Sequence, residues 1–209
     1  MKRLFFVLCA ALALTVGVST ASAGGGNSDA AHACQQGKWQ YIVRSDGTPF
    51  KNQGDCVSYA AQGGTLVPLP DLQLSVSCTG SATAVDCVFH VKNAGVAPAT
   101  GLIGVDAALQ FAQNGDAAIA VAVAVGVPDC TGPGNDASVS FPSPPPLSVI
   151  AHSVCDGTIP PGATADVLEM EIAASSVGPT SFAVTAAVDP TNVIHEAFEN
   201  NNTYSATFS

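Results

Sequence analysis

From Leu72 onward the chain alternates between apolar and polar positions. Leu72, Leu74, Val76 and Cys78 are separated by Gln73, Ser75 and Ser77. After a turn at Thr79-Gly80-Ser81, the residues Cys87, Phe89 and Val91 alternate with Val88, His90 and Lys92, and Asn93-Ala94-Gly95 is a second turn. A period of two sends successive side chains to opposite faces of a strand, so these segments predict a half-buried antiparallel pair. Leu102 to Phe111 and Ile119 to Val127 are richer in alanine, which also suits a helix. Their β-branched residues, flanking glycines and Pro128 favour sheet. Asp129 to Pro146 is punctuated by Pro and Gly and predicts a long loop with a short strand at Val139 to Phe141. Leu147 to Val154 predicts another strand, and Ile159-Pro160-Pro161-Gly162 a turn. Leu168, Met170 and Ile172 then face inward, with Glu169 and Glu171 outward. Phe182, Val184, Ala186 and Val188 enter a polar corner, and Tyr204, Ala206 and Phe208 leave it. About seven to nine short strands with frequent turns predict an all-β fold, an antiparallel β-sandwich of immunoglobulin type.

The first third of the chain lacks this rhythm. Met1-Lys2-Arg3, the apolar run from Leu4 to Val18 and Ala21-Ser22-Ala23 have the form of a signal peptide over residues 1–23, so a secreted, extracellular product is expected. No later stretch is a good membrane span. Residues 24–33 are small and polar, and disorder is expected there. Residues 34–64 hold the single Trp of the chain, Trp39, and read as a small module. Residues 65–70, with Pro68 and Pro70, read as a linker to a domain over 71–209.

Cysteine usage agrees with export. Cys9 would leave with the leader, and Cys34, Cys56, Cys78, Cys87, Cys130 and Cys155 remain, an even number that implies disulfides. Six cysteines allow about fifteen pairings. Sequential pairing is the simplest, and Cys78 and Cys87 share inward parity. Each bridge would then close a short loop and contribute roughly 3 kcal/mol.

The charge narrows the partners. With 6 Lys and Arg against 16 Asp and Glu, the formal charge is −10. Nucleic acid and anionic membrane surfaces are disfavoured, because phosphate neutralisation needs clustered cations.

The corner Asp189-Pro190-Thr191-Asn192-Val193-Ile194-His195-Glu196-Ala197-Phe198-Glu199-Asn200-Asn201-Asn202 resembles the end of the bacterial cell-adhesion-related CARDB domain, D-P-x-N-x-(I/V)-x-E-x-x-E-x-N-N. The run Phe89 to Gly101 resembles the second strand and turn of that family, and Ile159 to Gly162 its late L-x-P-G turn. The stretch from Val127 to Ile159 departs from the compact family pattern. The resemblance implies an immunoglobulin-like module over about 70–209 and a non-catalytic adhesion or interaction role. The module at Cys34–Gly64 resembles a short G-W…F-x-N-Q-G-D-C-V-S-(Y/F) segment of exported bacterial proteins that has no assigned activity.

Several catalytic and binding chemistries compete with these resemblances. Asn52-Gln53-Gly54-Asp55-Cys56-Val57-Ser58-Tyr59 resembles the active-site stretch of papain-like proteases, but Cys56 matches the structural cysteine and Tyr59 stands where the nucleophile should be. None of His32, His90, His152 and His195 has a matching context. There is no H-E-x-x-H, no G-x-S-x-G and no zinc-ligand spacing. Asp189, Asn192, Glu196, Glu199, Asn201 and Asn202 are hard oxygen donors that would suit calcium, or else cap the corner through local hydrogen bonds. No other cofactor is expected. Trp39, Tyr41, Phe50 and Tyr59 would make a sugar-binding platform or the core of the module. The expectation is a secreted non-catalytic interaction protein with an unknown extracellular protein or polysaccharide partner. A carbohydrate-binding accessory protein and an enzyme of unrecognised type are the alternatives.

Overall fold

The computed structural model describes residues 28–81, 84–111, 121–126, 129–130, 134–140, 148–174 and 181–208. The expected signal peptide lies outside the described residues.

Two hydrophobic clusters organise the chain. The larger belongs to nine strands in two layers: β3 (Leu72–Ser81), β4 (Ala84–Asn93), β5 (Ala99–Phe111), β6 (Val121–Gly126), β7 (Asp136–Ser140), β8 (Ser148–Ile159), β9 (Thr164–Ala174), β10 (Phe182–Val188) and β11 (Thr203–Phe208). One sheet has the order β11-β10-β5-β8-β7 and the other β3-β4-β9-β6, and every pairing is antiparallel. Phe89, Leu168 and Met170 of the four-stranded sheet bury fully in one cluster with Ile103, Leu109, Val149 and Val184 of the five-stranded sheet. The alternation drives this, since each strand has one apolar face to hide. In space the sheets match the four-plus-five layout of a nine-strand immunoglobulin sandwich. In sequence the middle is threaded differently. After β5 the chain crosses to the four-stranded sheet for β6 before returning for β7 and β8. The divergent stretch from Val127 to Ile159 houses that return.

The smaller cluster is built by α1 (Ser28–Ala33), a 3-10 turn at Lys38–Tyr41, β1 (Ile42–Arg44), α2 (Gln53–Ala61) and β2 (Leu66–Pro68). Cys34, Ile42, Phe50, Cys56 and Ala60 are its buried residues. Cys56 and Ala60 lie four apart and share one face of α2. Asn52 caps that helix by accepting the Asp55 N–H at 2.9 Å.

Three expectations need correction. Residues 28–33, read as disordered, form α1, which packs against α2 and is followed directly by the bridged Cys34. The linker at residues 65–70 contains β2, paired with β1 from Ile42↔Pro68 to Arg44↔Leu66, and Leu69 and Pro70 are buried. Pro68 is tolerated because this ribbon has only two strands. Thr79, Gly80 and Ser81 lie inside β3, paired with Asp86, Val85 and Ala84.

The sulfur pairs are sequential: Cys34–Cys56, Cys78–Cys87 and Cys130–Cys155, with Cα separations of 5.8, 4.1 and 5.1 Å. Cys78 and Cys87 are directly opposed across β3 and β4.

Candidate functional site

The closing corner is a hydrogen-bonded clasp. Asp189 and Asn192 adopt left-handed backbone, with φ of 44° and 50°, a conformation that their short polar side chains tolerate. The buried Asp189 carboxylate accepts the N–H groups of Val193 at 3.0 Å and Ile194 at 2.7 Å. Glu196, only 3 % exposed, accepts the N–H of Leu72 and, at 2.8 Å, the Asn202 amide. The Asn201 amide donates to Asp71 at 2.8 Å, and the Ala197 N–H to the Pro70 carbonyl at 2.9 Å. The last loop is thereby tied to the entry of β3. Burial pushes the Glu196 carboxyl up to about 7, with Glu199 and Asp189 adding repulsion and the Leu72 N–H and Asn202 opposing it.

Of the six predicted oxygen donors, Asp189, Glu196 and Asn202 are buried, Asn201 is half-buried, and Asn192 and Glu199 are exposed. Among the described residues no group of three His, Cys, Asp or Glu side chains is arranged to hold a metal ion. Their polar atoms are instead engaged largely with main chain and with one another, although the Oδ1 atoms of Asn201 and Asn202 are buried without a partner.

Two members of the clasp escaped the sequence reading. Asp71 and Asn93 are fully buried. The Asn93 side chain donates to the carbonyls of Ala97 and Ile159 and accepts from Asp71 and Gly95. Its parity was the available signal, because it stands in inward register with Phe89 and Val91. Gly95 is required by a close approach: a Cβ there would lie 2.5 Å from the Asp71 nitrogen.

Of the module's aromatic residues Phe50 is buried, and Trp39, Tyr41 and Tyr59 are half-buried. Phe50 is buried against Tyr59, with ring centroids 5.5 Å apart, and the Arg44 guanidinium lies 4.5 Å from the Phe50 centroid. Tyr41 meets Phe198 edge-on at 5.6 Å, and Trp39 packs against the small cluster. Arg44 also makes a two-oxygen ion pair with Asp55 at 2.9 and 2.8 Å. Asp55 additionally accepts the Lys51 N–H, and these bonds lower its pKa, the Lys51 bond most. Cys56 is bridged to Cys34, and neither is exposed.

The outer face of the five-stranded sheet presents an open trough of about 600 Å³. Two rows cross its floor. Thr185, Ala108 and Ile150 are neighbours on β10, β5 and β8, and Ala187, Asp106 and His152 form the next row. Alanine and threonine keep the floor low, and the larger Ile150, 40 % exposed, and His152 rise on one side. His152 Nδ1 is hydrogen-bonded to Asp106. A second imidazole–carboxylate pair, His90 with Asp166 at 2.5 Å, stands on the outer face of the other sheet. Neither pair was legible in sequence. Outward parity was visible for each histidine, but the partner strand was not.

No family model matches the chain, and no curated protein does. Among solved structures, it is similar to the CARDB domain of a Pyrococcus furiosus protein in complex with di-metal ions, at 15 % identity over 69 % of this chain and 96 % of that one, with a TM-score of 0.38. It is also similar to AvmM, which catalyses macrocyclization in alchivemycin A biosynthesis (11 %, 65 % and 87 %, TM-score 0.36). A third is the carbohydrate-binding module CBM3b of the cellulosomal cellobiohydrolase 9A from Clostridium thermocellum (13 %, 64 % and 94 %, TM-score 0.34).

Proposed function

We propose that this is an exported interaction or adhesion protein that holds its partner in the trough of the five-stranded sheet without catalysing a reaction there. The trough carries the reading. Small side chains across neighbouring strands leave a concave, solvent-open floor, and Asp106, His152 and the hydroxyls of Thr185 and Ser205 supply the few polar groups that orient a ligand. The three cysteine pairs suit an oxidising compartment. Among the described residues no helix is long and apolar enough to cross a membrane. The acidic surface favours a neutral or basic partner. Phe50 is buried, and Tyr59 and Tyr41 are half-buried with their rings against Phe50 and Phe198, which favours a protein partner over stacked sugar rings.

The test compares the wild-type chain with Thr185→Trp and Ala108→Arg, which fill the floor. Tagged protein is mixed with culture-fluid and cell-wall fractions of the source cells, and the captured material is identified. Capture of one protein by the wild type and its loss in both filled variants is expected. Equal capture by all three would overturn the assignment to the trough, and retention on purified polysaccharide alone would replace it with the carbohydrate reading.

A further inference from the structure

We propose that Ser77, His90 and Asp166 form a nucleophilic relay on the outer face of the four-stranded sheet that takes acyl groups from small activated esters. The Ser77 Oγ lies 2.8 Å from His90 Nε2, and His90 Nδ1 lies 2.5 Å from Asp166 Oδ1. The order of contacts is the one nucleophilic catalysis needs. A carboxylate that accepts the Nδ1–H fixes the tautomer and turns the Nε2 lone pair toward the hydroxyl. This centre lies on the opposite layer from the trough and does not rest on the interaction reading.

The arrangement is built by the fold. Phe89 faces Leu168 but His90 faces Asp166, so the register slips by one residue between them and Val167 is the extra one. Val167 and Leu168 are consecutively buried, as a bulge demands. Without the slip, Val167 would stand opposite His90. Bulges re-aim side chains in this way. Asp166 is held from behind by Asp129: its N–H donates to Asp129 Oδ2 at 2.8 Å, and its carbonyl accepts the Asp129 N–H at 3.0 Å. Asp129 is in turn next to the bridged Cys130.

Ser77 is exposed on an edge strand. The Leu72 N–H points away from β4 toward Glu196. By the alternation of an antiparallel ladder, the N–H groups of Val76 and Cys78 then also face the open edge, on either side of Ser77.

The molecule contains its own comparison. On the other sheet His152 is held by Asp106, and Ser138 stands opposite His152 in register. There, among the described residues, no hydroxyl is hydrogen-bonded to the imidazole. Of these two serines, Ser77 alone has its proton acceptor in place.

In the reaction, Ser77 Oγ bonds to the ester carbonyl carbon while His90 Nε2 takes the hydroxyl proton. The carbon–oxygen bond to the leaving group breaks with its electron pair on the leaving oxygen. That oxygen receives the proton from His90, and acyl-Ser77 remains for water to hydrolyse. An open site offers modest oxyanion stabilisation, so the substrates are small esters with stable leaving groups.

The test treats the full chain with 4-nitrophenyl acetate and, separately, with diisopropyl fluorophosphate, followed by intact-mass measurement and peptide mapping. One adduct on Ser77 is expected, absent in Ser77→Ala and unchanged in Ser75→Ala. His90→Gln should slow acylation by about 100-fold or more, with thermal melting as the check on folding. If His90→Gln does not fold, the ratio of Ser77 to Ser138 labelling within the wild-type molecule decides, and a strong excess at Ser77 is expected. Absence of a Ser77 adduct, equal labelling of Ser138, or an undiminished rate in folded His90→Gln would overturn the proposal.

Discussion

The N-terminal module and the sandwich bury their cores by different means. The sandwich joins large side chains from both sheets, with Phe89, Leu168, Met170 and Ile103 inaccessible to solvent. Its bridges Cys78–Cys87 and Cys130–Cys155 each add one buried cysteine, Cys87 and Cys155, to a core that is already extensive. In the module's hydrophobic cluster, two of the five buried residues, Cys34 and Cys56, are the bridge itself. The lesson is one of scale. A unit of this size encloses too little apolar surface to offset chain entropy unaided, so covalent closure and a guanidinium stacked on Phe50 complete it.

The contrast predicts different responses to the same kind of insult, and Trp39 fluorescence reports the module while β-sheet circular dichroism reports the sandwich. The largest effect is expected from Phe89→Ala. Removing a fully buried ring should cost about 3–5 kcal/mol and lower the sheet melting midpoint by on the order of 10 °C. Dichroism that melts as in the wild type would break the assignment of Phe89 to the shared core. Next is the double variant Cys34→Ser, Cys56→Ser. It should cost roughly 3 kcal/mol, expressed at Trp39 well before the sheet melts. Simultaneous loss of both signals would mean that the two units are one cooperative whole.

The third prediction concerns pH, where the two regions should respond with opposite sign. The folded Glu196 carboxyl titrates near 7 against a reference of 4.5. Its neutral form is favoured by folding, so its contribution is fully present below the reference value and lost as pH rises through the folded one. The sheet should be more stable at pH 5 than at pH 8, by up to about 2–3 kcal/mol, and Glu196→Gln should flatten that slope. Asp55 is shifted the other way, chiefly by the Lys51 N–H and then by Arg44. What it contributes is present above its reference of 3.8 and lost as pH falls through its lowered folded value. Acid should therefore loosen Trp39 while the sheet holds. A sheet that is less stable at pH 5 than at pH 8 would contradict the burial of Glu196. The smallest effect is expected from Asn52→Ala, which removes the cap of α2 and should cost about 1 kcal/mol at the module alone, measured by denaturant titration of Trp39 fluorescence.

How much was legible depended on the period of the pattern. The alternation through Leu72–Cys78 and Cys87–Val91 located β3 and β4 and put Cys78 and Cys87 on one face, which their direct opposition in the sheet matches. The corner residues were visible as a polar cluster, but Asp71, its partner from the far end of the domain, was not. The module carried weaker signals. A helix held by one bridge and one Asn cap, and a strand containing Pro68, have compositions that also suit loops, and contact with the neighbouring segments settled them.

Local chemistry determined which residues face inward along each strand, where the turns fall, and that the cysteines occur in a set fit for bridging, because these properties depend on side-chain period and on neighbours a few positions away. Tertiary structure alone decided that β6 crosses to the opposite layer, that Glu196 closes on Leu72, and that a one-residue slip at Val167 brings Asp166 to His90. Those outcomes depend on which distant strands pair and in what register, and a sequence specifies them only through the summed fit of the whole core.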